Sequence, residues 1–372
     1  MVRKIMELIY KVKKPETIKR FMTENNIPTS ILQKDEKNYK IFVNNEIKNR
    51  KDTVRKGDKI HFLLEDEGLN ANVKPEESAL DIVYEDEYLL IVNKPENMIM
   101  TVSKSTPSHT LANYLVGYFQ KIGLNNMVHF INKIDRESSG LVVVAKHRFI
   151  KFLLSNKVDN ELKFEFKAIV DGILDVKDFD ICLPIKKQDD SFIREIVEEG
   201  GDDCSTKYHV EKEFRNFSLL NLEVSGKVPH QIRVHLAFFN KPIVGDKIYN
   251  KVEHQTPLML CCYKTNFIHP ITENVVDVKL DLPKYFQEFI KTGKWKNNSK
   301  SAYTQVMIWN FFLFYVFNQK FQGVFQGVFM GSFHTMRCMY TRTNQCTLEI
   351  VATTHRCWYV RSIERIDVGS VV

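Results

Sequence analysis

Between Asn132 and Gly140 the chain reads Asn-Lys-Ile-Asp-Arg-Glu-Ser-Ser-Gly, and the apolar run Leu141-Val142-Val143-Val144-Ala145 follows without a break. A run this short, rich in β-branched residues and introduced by turn-forming Ser-Ser-Gly, predicts a strand buried on both faces. Val128 to Ile134 reads as the strand before it. The segment therefore demands a sheet with a hairpin-like turn, and that turn carries one carboxylate, Asp135, between the cations Lys133 and Arg136. Taken alone, such an aspartate has an ordinary reading as a turn cap or as the partner of Arg136. The rest of the chain decides between that reading and a chemical one.

Two further segments bear on it. Ser225-Gly226-Lys227-Val228-Pro229-His230-Gln231-Ile232-Arg233-Val234-His235-Leu236 is followed by Pro242-Ile243-Val244-Gly245-Asp246 and Tyr249, and an earlier strand, Val83 to Val92, ends in Asn93-Lys94-Pro95. Together the three resemble the RluA-type pseudouridine synthases. That family's motifs run His-Arg-Leu-Asp-Arg-x-Thr-Ser-Gly-Leu, then Thr-Gly-Arg-x-His-Gln-Ile-Arg-Val-His-Leu, then Pro-Ile-Val-Gly-Asp-x-x-Tyr. Each motif alone is a moderate signal, but three in the right order over residues 81 to 290 are a strong one.

The resemblance implies an α+β fold: a mixed, largely antiparallel sheet with flanking helices and a cleft across it. Strands without a steady strand-helix-strand rhythm point the same way. It also implies the isomerisation of uridines in RNA, with Asp135 as nucleophile or base. No redox change or group donor is involved, so neither cofactor nor metal is implied. To act beside an apolar base, Asp135 must stay ionised, which calls for a positioned cation. Arg233, matching the family's Gln-Ile-Arg arginine, is the candidate. Pro229 suits a first helical turn, and the spacing puts Arg233 on a different face from Ile232, Leu236 and Phe239.

Lys133, Arg136, Phe166, Lys227, His230 and Gln231 are the expected substrate contacts, and several depart from the family pattern. Lys133 stands where an arginine suits base extrusion, and it lacks a planar guanidinium to stack on bases. Asn132 replaces a histidine and keeps hydrogen-bonding capacity. Phe166 replaces a tyrosine, which preserves stacking but loses a hydroxyl. Lys227 replaces an arginine, and Leu260-Cys261-Cys262 replaces Leu-His-Ala. A catalytically impaired RNA-binding protein of the same fold, acting for example in ribosome assembly, is the alternative these changes support. His230 and His235, five apart, do not share a helix face, and no metal site is expected.

The chain has 372 residues and a formal net charge of +7, with 16 basic against 8 acidic side chains in its first 62 residues. That surplus permits a polyanionic partner without requiring one. Residues 1–67 resemble an S4-like RNA-binding module through Val43-Asn44-Asn45 and Lys56-Gly57-Asp58-Lys59-Ile60. Asparagine at 45 replaces the usual glycine and also accepts positive φ. Helices are expected from Pro15-Glu16 and near Pro28. Acidic residues 68–80 read as a linker, residues 81–295 as the catalytic domain, and 296–372 as an aromatic-rich tail, poorly ordered and without catalytic role. Its Val306 to Phe317 run is too short to span a bilayer. Seven unpatterned cysteines and no signal core fit a cytoplasmic protein. The expected partner is RNA, ribosomal before transfer RNA, with no stable membrane insertion and no obligate protein partner.

Overall fold

Strands and helices alternate unevenly along the chain. The computed structural model describes residues 6–33, 39–156, 162–226, 228–252 and 256–292, with the backbone of two tail strands at 336–340 and 346–350. Met1–Lys296 group as one unit and the tail as another.

The N-terminal part contains β1 (Glu7–Lys11), β2 (Glu16–Thr17), α1 (Ile18–Glu24), β3 (Ile41–Val43), β4 (Glu46–Ile47), β5 (Thr53–Val54) and β6 (Lys59–Leu63). Four of the strands form a sheet in the order β1-β6-β3-β4, while β2 pairs with β5. Helix α1 starts at Ile18 because Thr17 takes the cap, its hydroxyl accepting from the Arg20 N–H at 3.3 Å. Ile18, Phe21 and Met22 are buried, as their spacing predicts. The second expected helix is one 3₁₀ turn, Thr29–Ile31. Between β3 and β4 the two-residue loop Asn44-Asn45 has both φ values positive, at 48° and 70°, which asparagine tolerates.

The larger part runs through β7 (Ile82–Glu85), β8 (Leu89–Lys94), α2 (Leu111–Lys121), β9 (His129–Phe130), β10 (Ser139–Ala145), α3 (Arg148–Asn156), β11 (Lys163–Asp171) and β12 (Asp178–Ile181). It continues through β13 (Ile185–Lys187), β14 (Arg194–Ile196), β15 (Ser205–Glu213), β16 (Phe217–Ser225), α4 (Gln231–Phe238), β17 (Leu260–Ile268), β18 (Val275–Lys279) and α5 (Lys284–Thr292). The large sheet is ordered β12-β15-β16-β11-β17-β10-β8-β7, with β18 on β17 and β9 on β10. Its one parallel pairing joins β10 to β17, Ser139 to Cys261 and Gly140 to Cys262; the other pairings are antiparallel. This is the mixed, largely antiparallel α+β architecture expected. All seven residues of β10 are buried, which is why the run reads as unbroken apolar sequence.

The predicted strand Val128 to Ile134 contracts to β9. Asn132 explains the difference: its side-chain oxygen accepts from Val143 N–H at 2.8 Å and its amide donates to Leu141 O at 2.9 Å. A side chain thus takes over ladder bonds along β10, and the backbone is released into a loop.

Residues 68–80 are docked, not free. The Glu76 N–H donates to Asn113 O at 3.1 Å, and the Asn113 amide donates to Lys74 O at 2.8 Å. At Gly117 a Cβ would come within 2.2 Å of Glu76 O, so the segment lies against α2. Just before it, buried Glu67 accepts from Arg148 N–H at the start of α3 and pairs with His129 Nε2 at 2.7 Å. Acidic composition suggested solvation, but the Glu67 and Glu76 carboxylates accept from the backbone N–H groups of Arg148 and His109.

In the tail, β19 (Met336–Tyr340) pairs antiparallel with β20 (Cys346–Ile350). The remainder of the expected tail, including Val306 to Phe317, lies outside the described residues. Among the described residues no helix is long and apolar enough to cross a membrane.

Candidate active site

The loop between β9 and β10 is held from three sides. Asn132 ties it to β10, Ile134 N–H approaches Met100 Sδ at 3.2 Å, and Lys94 closes it from β8. The Lys94 ammonium is fully buried and donates to the carbonyls of Pro95, Met98 and Arg136, at 2.8, 3.0 and 3.1 Å. Burial pulls its pKa down to about 8, against the opposing pull of Asp135, Glu96 and Glu137. Beneath the loop, Gly140 has φ +111°, and a Cβ there would meet Cys262 O at 2.2 Å. Only glycine lets β10 approach β17 so closely just after the turn.

Helix α4 supplies the facing charge. His230 caps it in a left-handed conformation, φ 61°, so Pro229 lies before the cap and not in the first turn. Residues 231–236 are all buried, so the helix has no exposed face in this stretch, and Arg233 points inward. Arg233 faces Asp135 and Asp246, while Ile232 and Leu236 join the apolar core. Its guanidinium clasps Asp246 with two 2.8 Å bonds, from Nε and Nη2, while Nη1 donates to Asp135 at 3.0 Å and to Glu137 at 3.4 Å. Asp246 in turn accepts from the N–H groups of Ile248 and Tyr249.

Burial would weaken both charges, but the mutual bonds outweigh it. Arg233 is raised above its ordinary value and Asp246 held below its own. Asp135 is partly exposed, its side chain 19% accessible, and it faces a cleft of about 390 Å³. That volume falls in the range of about 300–1,000 Å³ typical of small-molecule sites.

His230 also lines the cleft, with Nδ1 2.8 Å from the Tyr249 hydroxyl, which accepts from Arg194 N–H. Burial lowers the imidazole's pKa, partly countered by Asp135. His235 faces elsewhere, its Nδ1 2.8 Å from Thr206 Oγ1 and its Nε2 3.0 Å from Leu183 O. The two histidines therefore do not converge.

A model of the RNA pseudouridylate synthase family matches residues 88–238, which include Asp135 and Arg233. YjbO of Bacillus subtilis, an uncharacterized RNA pseudouridine synthase, is 30% identical over 251 residues, 67% of this chain and 89% of its own length. The chain belongs to the RluA-type RNA pseudouridine synthases. YhcT of the same organism, also an uncharacterized RNA pseudouridine synthase, is 31% identical over 245 residues, 64% of this chain and 80% of its own. Ribosomal large subunit pseudouridine synthase D of Haemophilus ducreyi is 27% identical over 244 residues, covering 59% and 73%.

The synthase brings together only some of the residues its sequence nominates. Asp135, Arg136 and His230 line the cleft beside Glu137, and Arg233 stands behind Asp135. Lys133 is exposed on the loop. Gln231 is spent elsewhere: its amide donates to Ser205 O, Thr206 Oγ1 and Ser225 O, tying α4 to β15 and β16. Phe166 is buried on β11, paired with Leu222 and Cys262, and is not among the described cleft-lining residues. Lys227 lies outside the described residues. Sequence reasoning passed over Asp246, Glu137, Lys94 and Tyr249 as functional side chains. The signal for Asp246 was present, since a buried arginine requires a buried partner and Gly-Asp-x-x-Tyr offered one.

Proposed function

We propose that Asp135 is the carboxylate through which the synthase isomerises uridine to pseudouridine in RNA, and that Arg233 positions it. The observation supporting this reading is the 3.0 Å bond between Arg233 Nη1 and Asp135 in a guanidinium already anchored by Asp246. In the reaction the N1–C1′ bond breaks, the freed base turns, C5 joins C1′, the C5 hydrogen leaves as a proton, and N1 ends carrying a proton in its place. Asp135 acts either by attacking C1′ or by removing the 2′ proton, and both roles need the same placement beside the sugar. The uridine reaches it by leaving its stack.

Ribosomal RNA is the proposed substrate, supported by the naming of synthase D, and a cytoplasmic location follows from that substrate. Residues 1–67 are proposed as an S4-like RNA-binding domain, joined through 68–80 to a catalytic domain spanning 81–295. The test uses ribosomal RNA transcripts tritiated at uridine C5. Wild-type protein releases tritium, and Asp135→Asn binds the RNA but releases none. Release by that variant would remove Asp135 from its role.

A further inference from the structure

The short hairpin of β13 and β14 stands over the Asp135 cleft, and its turn carries an aromatic ring that the fold does not bury. Phe192 is 68% exposed, yet it lines the same cleft as Asp135, flanked there by Lys187 and Arg194. Other apolar side chains of the protein are exposed as well, among them Ile47 and Val275, but Phe192 borders the Asp135 cleft between two cations. The turn is not loose. Gln188 N–H donates to Ile193 O at 3.0 Å, Ser191 N–H to Gln188 O at 3.3 Å, and Ile193 N–H to Ser191 Oγ at 3.0 Å. The hairpin's second strand is pinned to the site itself, because Arg194 N–H donates to the Tyr249 hydroxyl that also meets His230. Asp189 and Asp190, which form the turn, are not among the described cleft-lining residues.

We propose that Phe192, with Lys187 and Arg194, forms a nucleobase-and-phosphate subsite at the mouth of the Asp135 cleft. There the ring stacks on a base of the RNA strand at the extruded uridine. An exposed ring between two cations matches single-stranded nucleic acid, whose bases offer flat faces and whose backbone offers charge. It also supplies the planar contact absent at Lys133, which is exposed and carries no flat group. This inference rests on the assignment of Asp135 only for the identity of the base nearest the ring.

Two measurements test it. In Phe192→Trp, the emission added by the new indole, taken as the difference from wild-type protein with its three native tryptophans, is followed while oligouridylate is added, with an abasic oligonucleotide of the same length as control. Quenching by the first and not by the second is expected; equal responses, or none, would overturn stacking. With tritiated ribosomal RNA, Phe192→Ala should raise KM about tenfold with kcat and melting temperature little changed. Phe192→Tyr should restore KM and Phe192→Leu should not. A wild-type KM in the alanine or leucine variant would also overturn the proposal. If oligouridylate quenches Phe192→Trp yet the wild-type protein releases no tritium, the catalytic reading fails and the subsite stands.

Discussion

The floor and the rim of the cleft are built on opposite plans. On the floor, Arg233 is 1% exposed and Asp246 2%, and each is bonded to the other twice. On the rim, β13 and β14 pair over only three residues each, and Phe192 stands out in solvent. Charges taken from water must be fully partnered, so the floor is over-determined and intolerant. Exposed groups carry no such debt and can meet a partner that arrives later. The difference separates what must be fixed before RNA binds from what acts only once it is there.

Four measurements sharpen or break that contrast. The largest effect is expected for Asp135→Asn, which removes turnover by on the order of 10³–10⁴-fold, in the range of a lost acid-base or nucleophilic group. RNA binding measured by filter retention should stay close to wild type. Next is Asp246→Asn, which leaves Arg233 buried with half its partnership gone. Chemical denaturation should show a loss of about 3–5 kcal/mol, the range for breaking a buried pair. A loss below about 1 kcal/mol would mean the floor is not over-determined at all.

Lys94→Met gives a smaller and pH-dependent effect. The folded-state pKa of Lys94 is pulled down to about 8, so between there and the ordinary lysine value the unfolded chain holds a proton the folded chain has released. Stability then rises with pH across that window, by up to about 1.4 kcal/mol per pH unit. Unfolding midpoints from pH 8 to 10 should climb relative to the methionine variant, and parallel curves would contradict the assignment. The least change is expected at the rim. Lys187→Ala should leave stability unaltered and lower the slope of log binding against log salt by about 0.7 to 0.9, one phosphate's worth.

What could be read from the sequence follows the same division. The buried strand β10, the Asp135 turn and the inward Arg233 all announce themselves, because burial forces a restricted residue choice. Asn132 is a subtler case. Its hydrogen-bonding capacity was legible, but its use in shortening β9 depends on Leu141 and Val143 lying within reach. Gln231 was assigned to substrate because motif position does not reveal which way an amide turns on a helix buried all round. Phe166 has the same difficulty, since a core ring and a base-facing ring use the same residue. The stretch 68–80 read as linker, and its docking on α2 was not legible, because acidity looks the same whether water or a backbone N–H answers it. Phe192 gave no signal at all, being one aromatic in a charged segment until the hairpin carries it over the cleft.

The division of Arg233 has a further consequence. Among the described residues the Asp135 carboxylate accepts one hydrogen bond, through Oδ2, while Asp246 holds the guanidinium by both of its oxygens. The firmer grip falls on Asp246, so the Asp135 carboxylate is held in place while keeping acceptor capacity for a partner that enters the cleft.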